Sequence, residues 1–226
     1  MLAAWWRVWL RVRFLLFQRR RFNRLVLEQV QGRPLLILPQ VFNPTLFLTS
    51  EFMVTALNER LIPPGAAVLD MGTGSGIGAV FAAQWAGSVL AVDINEAAVR
   101  CARINVLLNR LEDRVTVRQG DLFAPADGQQ FDVILFNPPY FPGEPGSPLD
   151  QAFRATDVAA RFAAGLAAHL QPGGWALMLL SSMGEEREFL AQLAARGFAA
   201  TAAAQRRLPS EAITLYRVAR FVGGGQ

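Results

Sequence analysis

Short stretches of this chain place glycines, carboxylates and an Asn-Pro pair at spacings that suit group transfer from a bound nucleoside. Val68-Leu69-Asp70-Met71-Gly72-Thr73-Gly74-Ser75-Gly76 carries an apolar run into a glycine-rich turn. Glycine lets such a turn bend sharply and approach a ligand at the carboxyl end of a strand, beside a helix start. Twenty-one residues after Gly72, Asp93 ends the next apolar run, Leu90-Ala91-Val92-Asp93. An acid there can accept hydrogen bonds from both hydroxyls of a ribose. Asp70, directly before the turn, would crowd a pyrophosphate but suits a cationic amino-acid moiety, directly or through water. S-adenosylmethionine carries that moiety together with a sulfonium. In Gln119-Gly120-Asp121-Leu122-Phe123, Asp121 can accept from an adenine amino group, with Leu122 or Phe123 against the ring. A plain turn after Gly120 accounts for Asp121 equally well.

The most specific stretch is Asn137-Pro138-Pro139-Tyr140, which closes the run Phe131-Asp132-Val133-Ile134-Leu135-Phe136. Two prolines cannot continue a central strand, so the chain is stiffened there. Stiffening matters because an amide nitrogen is a poor nucleophile and must be held in line with the methyl group it attacks. Asn137 can accept one N–H through its side-chain oxygen, and the Pro138 carbonyl can accept a second. Tyr140 offers an aromatic face to a planar amide or base.

These pieces together resemble the class I S-adenosylmethionine-dependent methyltransferases of the N-P-P-Y group, over about residues 40–182. That group includes glutamine methyltransferases of translation release factors and adenine or guanine amino methyltransferases. The resemblance implies a Rossmann-like α/β fold, with a seven-stranded, mostly parallel sheet, its last strand antiparallel, and helices on both faces. It implies donor binding by Asp70, by Gly72, Thr73, Gly74 and Gly76, by Asp93 with Ile94, by Asp121 with Leu122, and by Asn137. It implies catalytic binding of the target nitrogen by Asn137 and Pro138, with Tyr140 beside them. The expected acceptor is a protein glutamine, a release factor among the candidates. A nucleic-acid amino group and a small, membrane-associated molecule are the alternatives. Only about 60 residues precede the glycine strand, fewer than the helical recognition domain of bacterial release-factor enzymes occupies.

The elements that must position these residues alternate strand and helix, as a parallel sheet covered on both faces requires. Strands are expected at Ala67–Asp70, Val89–Asp93, Val115–Arg118, Phe131–Phe136 and Trp175–Leu180. Helices are expected at Ala79–Trp85, Glu96–Leu108, Gln151–Leu170 and Glu185–Ala195, with Ala200–Arg206 and Ala212–Phe221 as a closing pair. Upstream, the prolines at 34, 39 and 44 frame a short strand or hairpin followed by a turn, and residues 46–60 suit a helix. Pro63-Pro64-Gly65 marks the expected boundary between a lead-in, residues 1–62, and a catalytic domain, residues 63–226.

Residues 1–24 read as a basic amphipathic helix with Trp5, Val8, Trp9, Val12, Leu15 and Leu16 on one face. Its arginines exclude a signal peptide and a membrane span. Eight arginines against Glu28 give residues 1–33 a charge of +7, while the remainder is −3. The segment can pack on its own domain, lie on an anionic membrane or touch nucleic acid. All 22 basic residues are arginine, a whole-chain bias that carries no site information. With 52% hydrophobic residues the chain can build a large core. The single Cys101 excludes a disulfide framework and fits a reducing cytoplasm, and one histidine, His169, leaves no metal site expected. The tail Gly223-Gly224-Gly225-Gln226 ends in Gly-Gly-Gln, the tripeptide that release-factor enzymes of this group methylate, and reads as a flexible terminus.

Overall fold

Val26–Val30 (β1) and Arg33–Ile37 (β2) pair antiparallel across Gln31 and Gly32, both at positive φ as a two-residue hairpin turn requires. The hairpin thus begins earlier than the prolines alone suggest. The computed structural model describes residues 24–45, 48–139, 141–142, 154–155, 157–209 and 211–221. The expected helix over residues 1–24, apart from Arg24, lies outside the described residues, as do Tyr140 and the Gly-Gly-Gln tail.

Helix α1 spans Leu48–Ala56, shorter than the 46–60 expected. Then β3 (Ala67–Met71), α2 (Ile77–Ala82), β4 (Ser88–Asp93), α3 (Glu96–Leu108), β5 (Val115–Gln119) and β6 (Phe131–Phe136) alternate. Two short segments, β7 (Phe141–Pro142) and β8 (Arg154–Ala155), pair in parallel. Helix α4 (Val158–His169), β9 (Leu170–Ser181), α5 (Glu186–Ala194), β10 (Phe198–Arg207) and β11 (Ala212–Arg220) complete the chain.

Seven strands form one sheet in the order β10-β11-β9-β6-β3-β4-β5. Strands β3, β4, β5, β6 and β9 run parallel to one another, and β11, last in the chain, runs antiparallel to both of its neighbours, β9 and β10. Alternation along each strand sends side chains to opposite faces. Val68, Val89 and Ala91 join a core covered by α2, α3, α1 and the hairpin. Leu69, Met71, Leu90 and Val92 join a second core under α4 and α5.

Two differences from the sequence expectation bear on the site. The helix expected from Gln151 begins only at Val158, because residues 154–155 pair with 141–142 and Asp157 takes a left-handed φ of 57°. Strand β9 starts at Leu170 instead of Trp175 and includes Pro172-Gly173-Gly174. Its pairing with β6 shifts register there, and a Cβ at Gly174 would lie 2.9 Å from the Asp132 carbonyl oxygen.

Candidate functional site

In the sheet, β4 and β5 lie on one side of β3, and β6 with the later strands on the other. Such a reversal opens a crevice at the carboxyl ends of the strands. A cleft is found there, and Asp70, Gly72, Thr73 and Gly74 form its floor. Asp93, Ile94, Asp121 and Leu122 line it from the β4–β5 side, and Asn137 and Pro138 from the end of β6.

The turn after β3 is built around Asp70. Its carboxylate is buried, and Oδ2 accepts from Thr73 Oγ1 at 2.5 Å and from the Ala79 N–H at 2.8 Å. One side chain thus ties the strand end, the turn and the helix behind it. Gly78 makes this geometry available, since a Cβ there would overlap the carboxylate. Burial pushes the Asp70 pKa up to about 6, the two hydrogen bonds pull it down, and the charge of Asp93 adds to the rise. Gly72, Gly74 and Gly76 all have positive φ. A Cβ at Gly74 would meet no neighbouring atom within 4 Å, so its surface of the cleft is open space next to backbone. Gly76 stands behind the cleft, where its Cβ would lie 3.0 Å from Ala102 Cα of α3. Its place is one of close packing against α3, not of cleft lining.

Asn105, fully buried in α3, joins this turn to the hairpin. Its Oδ1 accepts from the Leu36 N–H at 2.6 Å, and its Nδ2 donates to the Leu36 and Ser75 carbonyls at 2.8 Å each.

Asp93 is held from both sides. Oδ2 accepts from the Gly74 N–H at 2.8 Å and Oδ1 from the Asn95 N–H at 2.9 Å. Burial raises its pKa, opposed by these backbone bonds and one from Ile94. A carboxylate has about four lone-pair positions, so each oxygen keeps capacity for a ribose hydroxyl. Asn95, not Asp93, caps α3, accepting from Ala97 N–H at 2.9 Å. Ile94 is 51% exposed, an apolar side chain on the cleft wall. On the same side, Leu122 takes a left-handed φ of 48°, a conformation that costs a non-glycine residue on the order of 1 kcal/mol or more. Phe123 is turned away into the core, stacked on His169 with ring centroids 4.3 Å apart. His169 is the last residue of α4, and its Nδ1 lies 2.8 Å from the Gly165 carbonyl oxygen.

Asn137 and Pro138 follow β6, whose last residue Phe136 is pinned by stacking on Phe162 at 4.7 Å. The Asn137 Nδ2 donates to Ser50 Oγ at 3.3 Å, and Ser50 is buried on α1. The structure therefore gathers every expected site residue in one cleft except Gly76, which stands behind it, and Tyr140, which lies outside the described residues. It adds Ser50 and Met53 from α1, Gln40 and Phe42 before it, and Val158 and Arg161 from α4. Arg161 pairs with Asp121 across the cleft mouth. No local pattern marks these additions, because they arrive from elements far away in sequence.

Fold and cleft define the class as that of the S-adenosylmethionine-dependent class I methyltransferases. The family model described as the methyltransferase small domain matches residues 35–196, and the chain belongs to that family. It is related to the release-factor glutamine methyltransferases. It is 37% identical over 147 residues to such an enzyme of Gloeobacter violaceus, covering 58% of this chain and 51% of the relative. A Methanocaldococcus jannaschii protein, provisionally described as a protein N5-glutamine methyltransferase, is 29% identical over 85% of this chain and 98% of its own length. The Thermus thermophilus 16S rRNA N2 G1207 methyltransferase, solved with AdoMet and guanosine, superposes with a TM-score of 0.63 at 25% identity. That match covers 87% of this chain and 50% of the other. The chain thus spans nearly the whole archaeal relative and about half of the other two.

Proposed function

We propose that the cleft binds S-adenosylmethionine and that the chain methylates the side-chain amide nitrogen of a protein glutamine. The carrying observation is the pair of acceptors, Asn137 and Pro138, at the end of β6 in the same cleft as the Asp70–Gly74 turn and Asp93. The cleft suits the donor: a backbone surface at Gly74, a buried carboxylate at Asp70, a ribose acceptor at Asp93 and the apolar wall of Ile94 and Leu122.

Bound there, S-adenosylmethionine supplies an electrophilic methyl group on a positively charged sulfur. Asn137 Oδ1 accepts one N–H of the target amide and the Pro138 carbonyl accepts the other. Two accepted bonds fix the amide plane and raise electron density on a nitrogen weakened by resonance. Proline after Asn137 keeps the two acceptors at a fixed separation. Attack forms the N–C bond as the C–S bond breaks, and the nitrogen then loses a proton, so no strong base is needed. The names of the G. violaceus and M. jannaschii relatives support a glutamine acceptor.

A second reading, methylation of an exocyclic amino group in a nucleic acid, is favoured by the guanosine-bound Thermus structure. The same two acceptors suit an aromatic amino group. The test incubates purified protein with methyl-labelled S-adenosylmethionine and a lysate of its source cells. Label in protein, mapped by peptide analysis to a glutamine, is the expected result. Label confined to nucleic acid would overturn the glutamine reading in favour of the second.

A further inference from the structure

We infer that Arg161 is a positioning residue that aims Asp121 at the 6-amino group of a bound purine, making the cleft selective for adenine over 6-oxo purines. This rests on the donor reading above and carries it further, to the group that sets base preference.

Asp121 follows β5 and Arg161 lies one turn into α4, so their pairing joins two separate elements that both line the cleft. Arg161 Nη2 donates to Asp121 Oδ2, and the two side chains are 49% and 43% exposed. A pair this exposed adds little to fold stability. Its value is directional. A carboxylate at a solvated cleft mouth otherwise rotates freely, and ordering it on binding weakens the ligand contact. With Oδ2 held by the guanidinium, Oδ1 is presented as an acceptor. The surrounding backbone fixes the rest: Gly120 N–H donates to the Asp93 carbonyl at 2.9 Å, and Ala124 N–H to the Asp121 carbonyl at 3.1 Å. Leu122 holds its left-handed conformation in the same loop, and its side chain lines the cleft beside Asp121.

A carboxylate only accepts. It matches the N–H of a 6-amino purine and opposes the carbonyl oxygen of a 6-oxo purine. Arginine suits the task because its planar fork holds a carboxylate in one orientation, which a lysine ammonium does only partly.

The experiment measures dissociation constants of S-adenosylhomocysteine and S-inosylhomocysteine by calorimetry, using the full chain. Wild type is expected to prefer the adenosyl compound by about tenfold or more, the range of one hydrogen bond to a charged group. Arg161→Ala should reduce that preference toward the value of Asp121→Asn, and Arg161→Lys should keep part of it. Equal weakening of both ligands by Arg161→Ala, with the preference intact, would overturn the proposal and leave Arg161 a merely structural residue. Unchanged affinities in Arg161→Ala would overturn it too. Failure of wild type to bind either ligand would instead overturn the donor reading on which it rests.

Discussion

The two halves of the cleft are built differently. On the donor side, the Asp70 and Asp93 carboxylates take backbone N–H groups at 2.8–2.9 Å, and Thr73 N–H donates to the Val92 carbonyl at 3.0 Å. All of this lies within two adjacent parallel strands, β3 and β4, and the turns and helix start that follow them. On the acceptor side, Asn137 leaves β6 and meets Ser50 at 3.3 Å, a contact spanning 87 positions in sequence. The donor half is preorganised by its own backbone. The other half, the proposed acceptor side, is assembled from an upstream helix, a strand end and the first turn of α4. A ligand shared by a whole class suits the first construction, and an acceptor that differs between relatives suits the second.

Asn137→Ala separates the halves most sharply. It removes one of the two proposed amide acceptors and leaves the turn after β3 in place. Methyl transfer is expected to fall by a hundredfold or more, roughly the loss of one preorganised polar contact to a reacting group. The affinity for S-adenosylhomocysteine, read by calorimetry, should stay within about threefold, a small change in free energy. Normal turnover would remove Asn137 from the chemistry.

The buried carboxylate of Asp70 probes the donor half by pH. Its folded pKa of about 6 lies above the usual 3.8, so the folded protein holds this proton more tightly than the unfolded chain. The associated stability is fully present below about pH 4 and is lost as pH rises through 6, on the order of 3 kcal/mol in all. Denaturant titrations from pH 4 to 7 should show that decline in wild type, and the difference from Asp70→Asn should change sharply over the same window. A pH-independent difference would mean that the carboxylate has an ordinary pKa. Asp93→Ala touches the same half more gently: the loss of charged acceptors for the ribose should weaken the donor by about 1.5–3 kcal/mol. Calorimetry with S-adenosylhomocysteine checks this, and an unchanged affinity would place the ribose elsewhere.

The same division governs what could be read from the chain. Donor-side signals are local: glycines every second residue after an apolar run, and an acid at the end of the next one. Strand alternation carried the parallel sheet, and the resemblance to the N-P-P-Y methyltransferases implied its antiparallel last strand. Local signals failed where the partner is distant. The helix expected from Gln151 gives way at residues 154–155, which pair with 141–142. Pro172-Gly173-Gly174 looks like a turn until its register shift against β6 is seen. Gly76 resembles its neighbours Gly72 and Gly74 in sequence, yet only packing against Ala102 shows that it serves α3 and not the cleft. Ser50 and Arg161 carry no pattern at all, since their roles come from tertiary contacts.

Ser50 is therefore the subtlest test of the two-part construction. Its hydroxyl is buried and accepts from Asn137 Nδ2. Ser50→Ala removes one oxygen from α1 without creating a large cavity, so the fold should hold. One neutral hydrogen bond is worth about 0.5–1.5 kcal/mol, and kcat should fall roughly two- to tenfold. The loss belongs in kcat because Asn137 would still reach the amide, only less often in the productive orientation. Donor affinity should be unchanged, since among the described residues no hydrogen bond joins Ser50 to the turn after β3. An equal loss in donor affinity would show that α1 supports the glycine turn as well, and the two halves would then be one mechanical unit.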